Sequence, residues 1–595
     1  MTLPKLTVAN LKRHATDRSI SRAESYFRSG AVTGITLRQQ TLSATVEGNQ
    51  VGHYRVNITF DEGGILEARC SCPYEFGGWC KHIVATLMVC IHKPQTIESR
   101  PSLSQLLEQL NLSQTKELIQ SLVEKSPDLL ELVDFYASKM NQAVTISVQQ
   151  KASPKRKTSV DPAPYQRQAR EIVREAVRGW EYGAEEDDMA EDLSKLTQDA
   201  LAFVEQGDGY SALSLLQGIT EGCAQSWHMV DDFLGMEPID FSIDLDSAWT
   251  EALLSTDLSA DEASIWQEEI EVWQDSLGDF PMALEALRQG WDYPPLQQVF
   301  QGEITEQGAW TGEAPDWADE FSQIRLKILS RQKRYEDYLL LAQAEGQTQA
   351  YLTMLGQLGR IEEAMSVAKE QMETLLEAKA LAETLRTQNR LPEALAIAMQ
   401  GLRLAQDKTH LLFEFADWTR NLAEGLGDRP AELEATIAAF GARPSLRDYQ
   451  AIEALAGENW ANTREKLLQQ IREMSPWLDA DAQVDILLHE GLISDAVEKV
   501  SDFSSYQESL VLRVMDVAIA SHSEWVIENA LRRAEPIMNE GRSQYYSNAV
   551  EWLKRVKAAY IEQDKEQDWI DYRRQLIDAH QRKRKLMGLI EQNKL

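Results

Sequence analysis

The chain has 595 residues, enough for several domains of ordinary size. Its composition, 43% hydrophobic and 26% charged, is that of a globular protein. A net charge of −34 excludes a surface that binds nucleic acid throughout, and the longest mostly apolar run, Ile83 to Ile91, is far too short for a membrane helix.

The charge is uneven, with +4 on residues 1–100 and −38 on the remainder. A mildly basic head on an acidic body is one mark of an end that faces a polyanion; acidic surfaces are also common in globular proteins. Met1-Thr2-Leu3-Pro4-Lys5 leads straight into polar, helix-like sequence rather than a signal peptide. Four of the five cysteines fall between Cys70 and Cys90, with a spacing that suits metal in a reducing compartment, so the expected location is cytoplasmic.

In chain order, Val8 to His14 and Ser19 to Phe27 read as short helices, the second capped by Asp17 or Ser19 and ended by Gly30. The period then changes to two. Val32 to Leu37 and Leu42 to Val46 form a hairpin, and Glu47-Gly48-Asn49-Gln50 turns the chain into a half-buried strand with Tyr54, Val56, Ile58 and Phe60 on one face. Asp61-Glu62-Gly63-Gly64 turns it again, and Leu66, Ala68, Cys70 and Cys72 share a face of the last strand.

The stretch Cys70-Ser71-Cys72 to Cys80-Lys81-His82 reads C-x-C-x7-C-x-H. Three thiols and an imidazole are a complete tetrahedral set for zinc. Gly77-Gly78 folds the loop back, and Cys80 and His82 open an apolar helix that Pro94 ends. The helix N-terminus favours thiolate at Cys80. A closed set of four protein ligands is structural rather than catalytic, and in a module with few large apolar residues the metal contributes much of the folding free energy. Cys90 reads as a core thiol, and His53 and His92 as surface or packing residues. Lys81 reads as a phosphate contact, as a cation that raises thiolate character, or as a solvated cation.

This pattern resembles the SWIM zinc finger, which pairs C-x-C with C-x-H across a variable loop. The resemblance covers about residues 15–93. It implies that Cys70, Cys72, Cys80 and His82 hold one structural Zn2+ ion. It also implies a DNA-binding or protein-interaction module, without choosing between them. The family takes its name from remodelling ATPases and Mutator-type transposases.

Further on, Ser102 to Leu110, Ser113 to Glu124 and Pro127 to Met140 have helical spacing. A basic, proline-bearing stretch with Lys151, Lys155, Arg156 and Lys157 reads as a linker, either a phosphate-binding tether or a solubilising spacer. From about residue 166 the sequence is helical. A turn followed by Ala and an apolar residue recurs at Ala212, Ala283, Ala364, Ala394 and Ala496, which resembles degenerate tetratricopeptide-type repeats. The layout is similar to long bacterial proteins that join an N-terminal SWIM finger to a helical body. Trp249, Trp266 and Trp273 read as packing residues, and the acidic run Glu181 to Asp192 as a solvated segment or a docking strip for a basic partner. Cys223, His228, Asp231 and Asp232 fit no ligand spacing, and a buried thiol is expected at Cys223. The basic segment from Arg573 to Lys585 reads either as a nucleic-acid-facing helix, or as favourable charge at a helix C-terminus or pairing with the acidic body.

The expected fold is therefore mainly α: a small α+β zinc-finger head, with a short antiparallel sheet plus helices, followed by an irregular α-solenoid. The expected domains are 1–95 (SWIM finger), 96–147 (helical extension), 148–165 (flexible basic linker) and 166–595 (tetratricopeptide-like body). There is no phosphate loop, dinucleotide fingerprint, H-E-x-x-H or G-x-S-x-G; His489-Glu490 is followed by Ile493 where a zincin needs His. The expected role is a non-catalytic zinc-binding scaffold for a protein partner. The alternative is a nucleic-acid accessory protein that meets DNA or RNA through the head, and a weaker one is a hydrolase of unfamiliar type. No membrane contact and no small-molecule substrate are expected.

Overall fold

The computed structural model describes residues 6–48, 52–74, 78–126, 160–181, 188–234, 240–278, 280–404, 410–475, 478–501, 503 and 507–595. The chain divides into two compact units, Met1–Ser102 together with Asn389–Leu595, and Leu103–Gln388.

The head opens with α1 (Val8–His14) and α2 (Asp17–Ser29). Thr16, rather than Asp17 or Ser19, caps α2: its hydroxyl accepts from the Ser19 amide, and Gly30 ends the helix at φ +73°. Four strands follow, β1 (Val32–Arg38), β2 (Thr41–Glu47), β3 (His53–Asp61) and β4 (Gly64–Cys70), then α3 (Lys81–His92) and a short β5 (Glu98–Arg100). The sheet order is β4-β3-β2-β1-β5. β5 lies parallel to β1 and has no signal in the sequence. Leu42, Val46, Val56, Ile58, Val84 and Leu87 are fully buried, so the core lies between the sheet and the helices.

One expected alternation fails in β4. The pairing shifts between Thr59 and Phe60, so that Thr59 faces Glu67 and Phe60 faces Ile65. Leu66 is the extra residue of this bulge and is exposed, while Ala68 and Cys70 keep the inward face.

α4 (Leu103–Glu108) and α5 (Leu112–Lys125) follow in the second unit. Asn111 and Gln114 form a capping box at the start of α5, two residues before the Ser113 start read from the sequence. The expected helix at Pro127 to Met140 and the basic segment Lys151 to Lys157 lie outside the described residues. The next described helix begins at Ala163, within the stretch read as linker. Beyond it the described secondary structure is helical, with an irregular stretch over residues 301–317.

Each recurring alanine falls in the first turns of a helix, and Ala212, Ala283, Ala364, Ala394 and Ala496 are all fully buried. A methyl is what lets a neighbouring helix approach there. In the second unit Trp249 is fully buried and packs on Trp266 and Trp273 with ring centroids 5.3 and 5.4 Å away, its indole N–H on the Thr220 hydroxyl. These tryptophans are core. The same helix, Asp240–Leu254, presents buried Asp246 to the start of the helix Pro281–Gln289. The Asp246 carboxylate accepts from the Ala283 and Met282 amides at 2.8 and 3.1 Å, covering two donors that the helix start leaves open.

Burial nonetheless pushes the Asp246 carboxyl up to about 7. The folded state therefore holds its proton more tightly than the unfolded chain, and this contribution to stability falls as pH rises from about 4 to about 7. Asp246→Ala is expected to cost about 1–3 kcal/mol in urea unfolding of the full chain, read by tryptophan fluorescence. Asp246→Asn removes the pH dependence of that increment. An Ala variant of unchanged midpoint would show that water replaces the carboxylate.

Candidate metal centre

Two elements carry the site. β4 ends at Cys70, paired opposite Val56, and the strand end is pinned by Ser71, whose amide donates to the Arg55 carbonyl at 3.0 Å and whose hydroxyl accepts from the Arg55 amide at 2.9 Å. This fixes where the Cys70-Ser71-Cys72 turn projects its thiols. Cys80 is the N-cap residue of α3, and His82 lies in the helix's first turn. Between them the loop closes at Gly78. Its φ is +69°, and a Cβ there would lie 2.5 Å from the His14 carbonyl oxygen. The Trp79 amide donates to that same oxygen at 2.6 Å, and the Trp79 and His14 rings lie 4.4 Å apart. Gly77, the other half of the expected Gly-Gly turn, lies outside the described residues.

The ligand atoms of Cys70, Cys72, Cys80 and His82 all lie within 4.8 Å of one another. His82 Nδ1 is 3.7 Å from the Cys70 sulfur and 3.9 Å from the Cys80 sulfur. Tetrahedral coordination with Zn–S of about 2.3 Å puts neighbouring donors about 3.5–3.8 Å apart, so the set fits zinc with Nδ1 as the imidazole ligand. Cys80 and His82 are buried, Cys70 and Cys72 half-buried, and no donor position is left for substrate. These four residues are positioned to bind one zinc ion.

The Cys70 thiol donates to the Cys80 sulfur and, with His82 and the Ile83 amide, pulls Cys80 down to about 4, while Cys70 is pushed well above its ordinary value by the same contact and by burial. Burial and Cys80 raise Cys72. Zinc must displace the protons of Cys70 and Cys72, so its affinity falls as the medium becomes more acidic.

Tyr54 stacks on the His82 ring at 4.5 Å and Tyr26 meets its edge at 5.4 Å. These aromatics, like Trp79 and His14, gave no metal signal in the sequence: Tyr54 read only as one step of a strand. Lys81 lies over the Tyr26 ring at 4.9 Å. Cys90 is buried in the head core, where desolvation pushes its thiol up to about 12; His53 and His92 are exposed.

In the second unit Cys223 is fully buried and likewise pushed up to about 12, and His228 is exposed. Among the described residues only the Cys70 set groups metal ligands. Near the end of the chain Lys583 donates to the Met538 and Asn539 carbonyls at the end of the helix Ser523–Asn539, and Lys585 to Ser543. Lys583 thus serves a helix C-terminus, and Lys585 the turn that follows it.

A Cys3His site at a strand-to-helix junction, beside a small, mostly antiparallel sheet, defines a zinc-finger module. Residues 54–91 match the family model described as SWIM zinc finger, and the chain carries that finger here. It is similar to the Zinc finger SWIM domain-containing protein 8 homolog of Drosophila melanogaster, with 33% identity over 109 residues. That match covers 18% of this chain and 5% of the relative. Among the described residues no helix is long and apolar enough to cross a membrane.

Proposed function

We propose that this chain is a non-catalytic, zinc-stabilised interaction protein whose helical part binds a protein partner in the cytoplasm. The closed ligand set supports the absence of metal catalysis, since a catalytic zinc keeps a position for water. The observation that carries the reading is the surface of α4 and α5. Neither helix buries a residue, yet Leu103, Leu107, Leu112, Leu118, Ile119 and Leu122 are all exposed. An isolated helix of this length is marginal in water without a packed apolar face, and a row of exposed leucines marks a surface that another molecule covers. The charge of −38 beyond residue 100 favours a protein over nucleic acid as that molecule.

The test is the full chain carrying Leu112→Glu, Leu118→Glu and Leu122→Glu. All three side chains are exposed, so the unfolding midpoint should stay within the range of ordinary surface changes, about 0.5 kcal/mol each. A protein captured by the parent chain and lost by the triple variant supports the reading. Equal capture by both, or a parent chain that sediments as a lone monomer in the extract, removes it.

A further inference from the structure

The last turn of α1 stands between the metal site and distant helices of its own unit, and both hold it by its backbone. A helix leaves its last carbonyls without partners inside the helix. In α1 the His14 carbonyl accepts from the Trp79 amide at 2.6 Å. The Arg13 carbonyl accepts from the Arg447 guanidinium at 3.4 Å, from 434 residues further along the chain. Trp79 directly precedes the ligand Cys80, and Arg447 lies in the helix Leu446–Ala456. One helix end is thus closed jointly by the metal loop and by the helices after residue 400.

The side chains repeat this arrangement. The Trp79 ring lies 4.4 Å from the His14 ring. The same imidazole meets the helix His410–Leu426, with Nε2 3.2 Å from the Asn421 amide oxygen and Nδ1 3.9 Å from the Asp417 carboxylate. Beside it Arg13 pairs with Glu424 and Glu432.

α1 has seven residues, too few to be stable alone, so what packs on it decides its geometry. Leu11, fully buried in the head core, holds the middle of the helix. The end of the helix depends on the contacts just named. They leave little slack, since a Cβ on Gly78 would lie 2.5 Å from the His14 carbonyl oxygen. A bound zinc ties Cys80, and with it the loop Gly78-Trp79, to Cys70 and Cys72 at the end of β4. Without the ion that tie is lost, and the loop is freer to leave His14.

We infer that zinc binding and docking of the head on the helix His410–Leu426 are coupled, and that Trp79 and His14 carry the coupling. The loaded site holds Trp79 against His14 and His14 against Asn421. Docking in turn holds Cys80 where the ion needs it. Coupling of this kind is reciprocal in free energy, so each event strengthens the other by the same factor. Helices that supply no zinc ligand therefore respond to zinc and set its affinity. This goes beyond the partner surface on α4 and α5 and does not rest on it.

The experiment has two arms, both on the full chain. The first is zinc affinity, measured by competition with a chelator of known affinity. Asn421→Ala with Glu424→Ala should keep one zinc per chain but bind it about tenfold more weakly, a factor ordinary for coupled sites. Trp79→Ala should weaken zinc as well. The two changes together should weaken it by less than the product of their factors, because both cut one route. Val514→Ala, in the buried core of the helix Glu508–Ala518, lowers stability without touching this route and should leave zinc affinity as in the parent.

The second arm is amide exchange with zinc and after stripping by the chelator. Stripping should lower protection at residues 417–425, while the core strands at 41–46 and 54–60 stay protected. In Trp79→Ala, stripping should no longer change residues 417–425. Unchanged zinc affinity in the Asn421 and Glu424 variant, factors that simply multiply, or residues 417–425 equally protected with and without zinc would overturn the proposal. So would a Val514→Ala chain that loses as much zinc affinity, which would make the effect one of overall stability. A stripped chain whose strands exchange as fast as residues 417–425 would also overturn it, since the whole head would then unfold with the metal.

Discussion

Cys80→Ser is expected to leave the chain without stoichiometric zinc and to remove amide-exchange protection from residues 70–72 and 79–82, while the helical signal of the body persists. Structural zinc supplies folding free energy because the ligands are not assembled in the unfolded chain, and apparent values of about 10–16 kcal/mol are typical of small zinc modules. Cys80 is the ligand that joins the two halves of the site, capping α3 while touching Cys70 and His82. Without it the turn at Cys70-Ser71-Cys72 is left with the Ser71–Arg55 bonds, the Tyr74 amide on the Cys72 carbonyl and the contact of Cys70 with His82. The loss should stop short of the whole head. Leu42, Val46, Val56, Ile58, Val84 and Leu87 form a fully buried core that needs no metal, more core than a reading of the finger's composition suggested. Cys90→Ser is the control. That thiol is as buried as Cys80 but lies at the far end of α3, so zinc should stay at one per chain with only a small loss of stability. The assignment fails if Cys80→Ser keeps one zinc and an unchanged exchange pattern.

What the sequence disclosed follows the range of the interactions. The zinc ligands are legible because C-x-C at a strand end and C-x-H at a helix start are local geometry, with both spacings set within a few residues. The hairpin, the Gly30 stop and the recurring buried alanines are legible for the same reason. The bulge at Leu66 is not, because it depends on how β4 registers against β3. β5 is not, because three polar residues, Glu98, Ser99 and Arg100, form a strand only by borrowing the edge of β1. Least legible of all is what α1 does. Arg13 and His14 read as ordinary polar residues at the end of a short helix, and their partners are more than 400 positions away.

Those partners set the second large effect. Gly425→Val is expected to release the head from the helices of its own unit. In the first unit Arg13 pairs with Glu424 on the helix His410–Leu426 and with Glu432 on the helix Arg429–Ala442. His14 Nε2 lies 3.2 Å from the Asn421 amide oxygen, and Arg447 donates to the Arg13 carbonyl. One residue past Glu424, Gly425 meets the β3–β4 turn so closely that any Cβ would overlap the Gly63 carbonyl oxygen. Backbone blocks backbone there, so no side chain can yield. Within the helix itself Gly→Val should be neutral or mildly favourable, so a large loss reports the contact with the head. Gly441→Ala, on the neighbouring helix with open space around its Cα, supplies the comparison and should stabilise by up to about 1 kcal/mol. The Gly425→Val chain should retain zinc but lose exchange protection at residues 61–64 and 417–425. It should also gain a protease-sensitive state.

The same interface should loosen in acid. Burial pushes the His14 imidazole below its ordinary value, against the pull of Asp417, so the docked state holds it neutral. Its contribution is complete above about pH 6.5 and is lost as pH falls below that. His14→Gln, which keeps a donor for Asn421 without a titrating ring, should flatten that dependence. If Gly425→Val leaves both segments as protected as in the parent, the close approach of Gly63 and Gly425 does not hold the head in place.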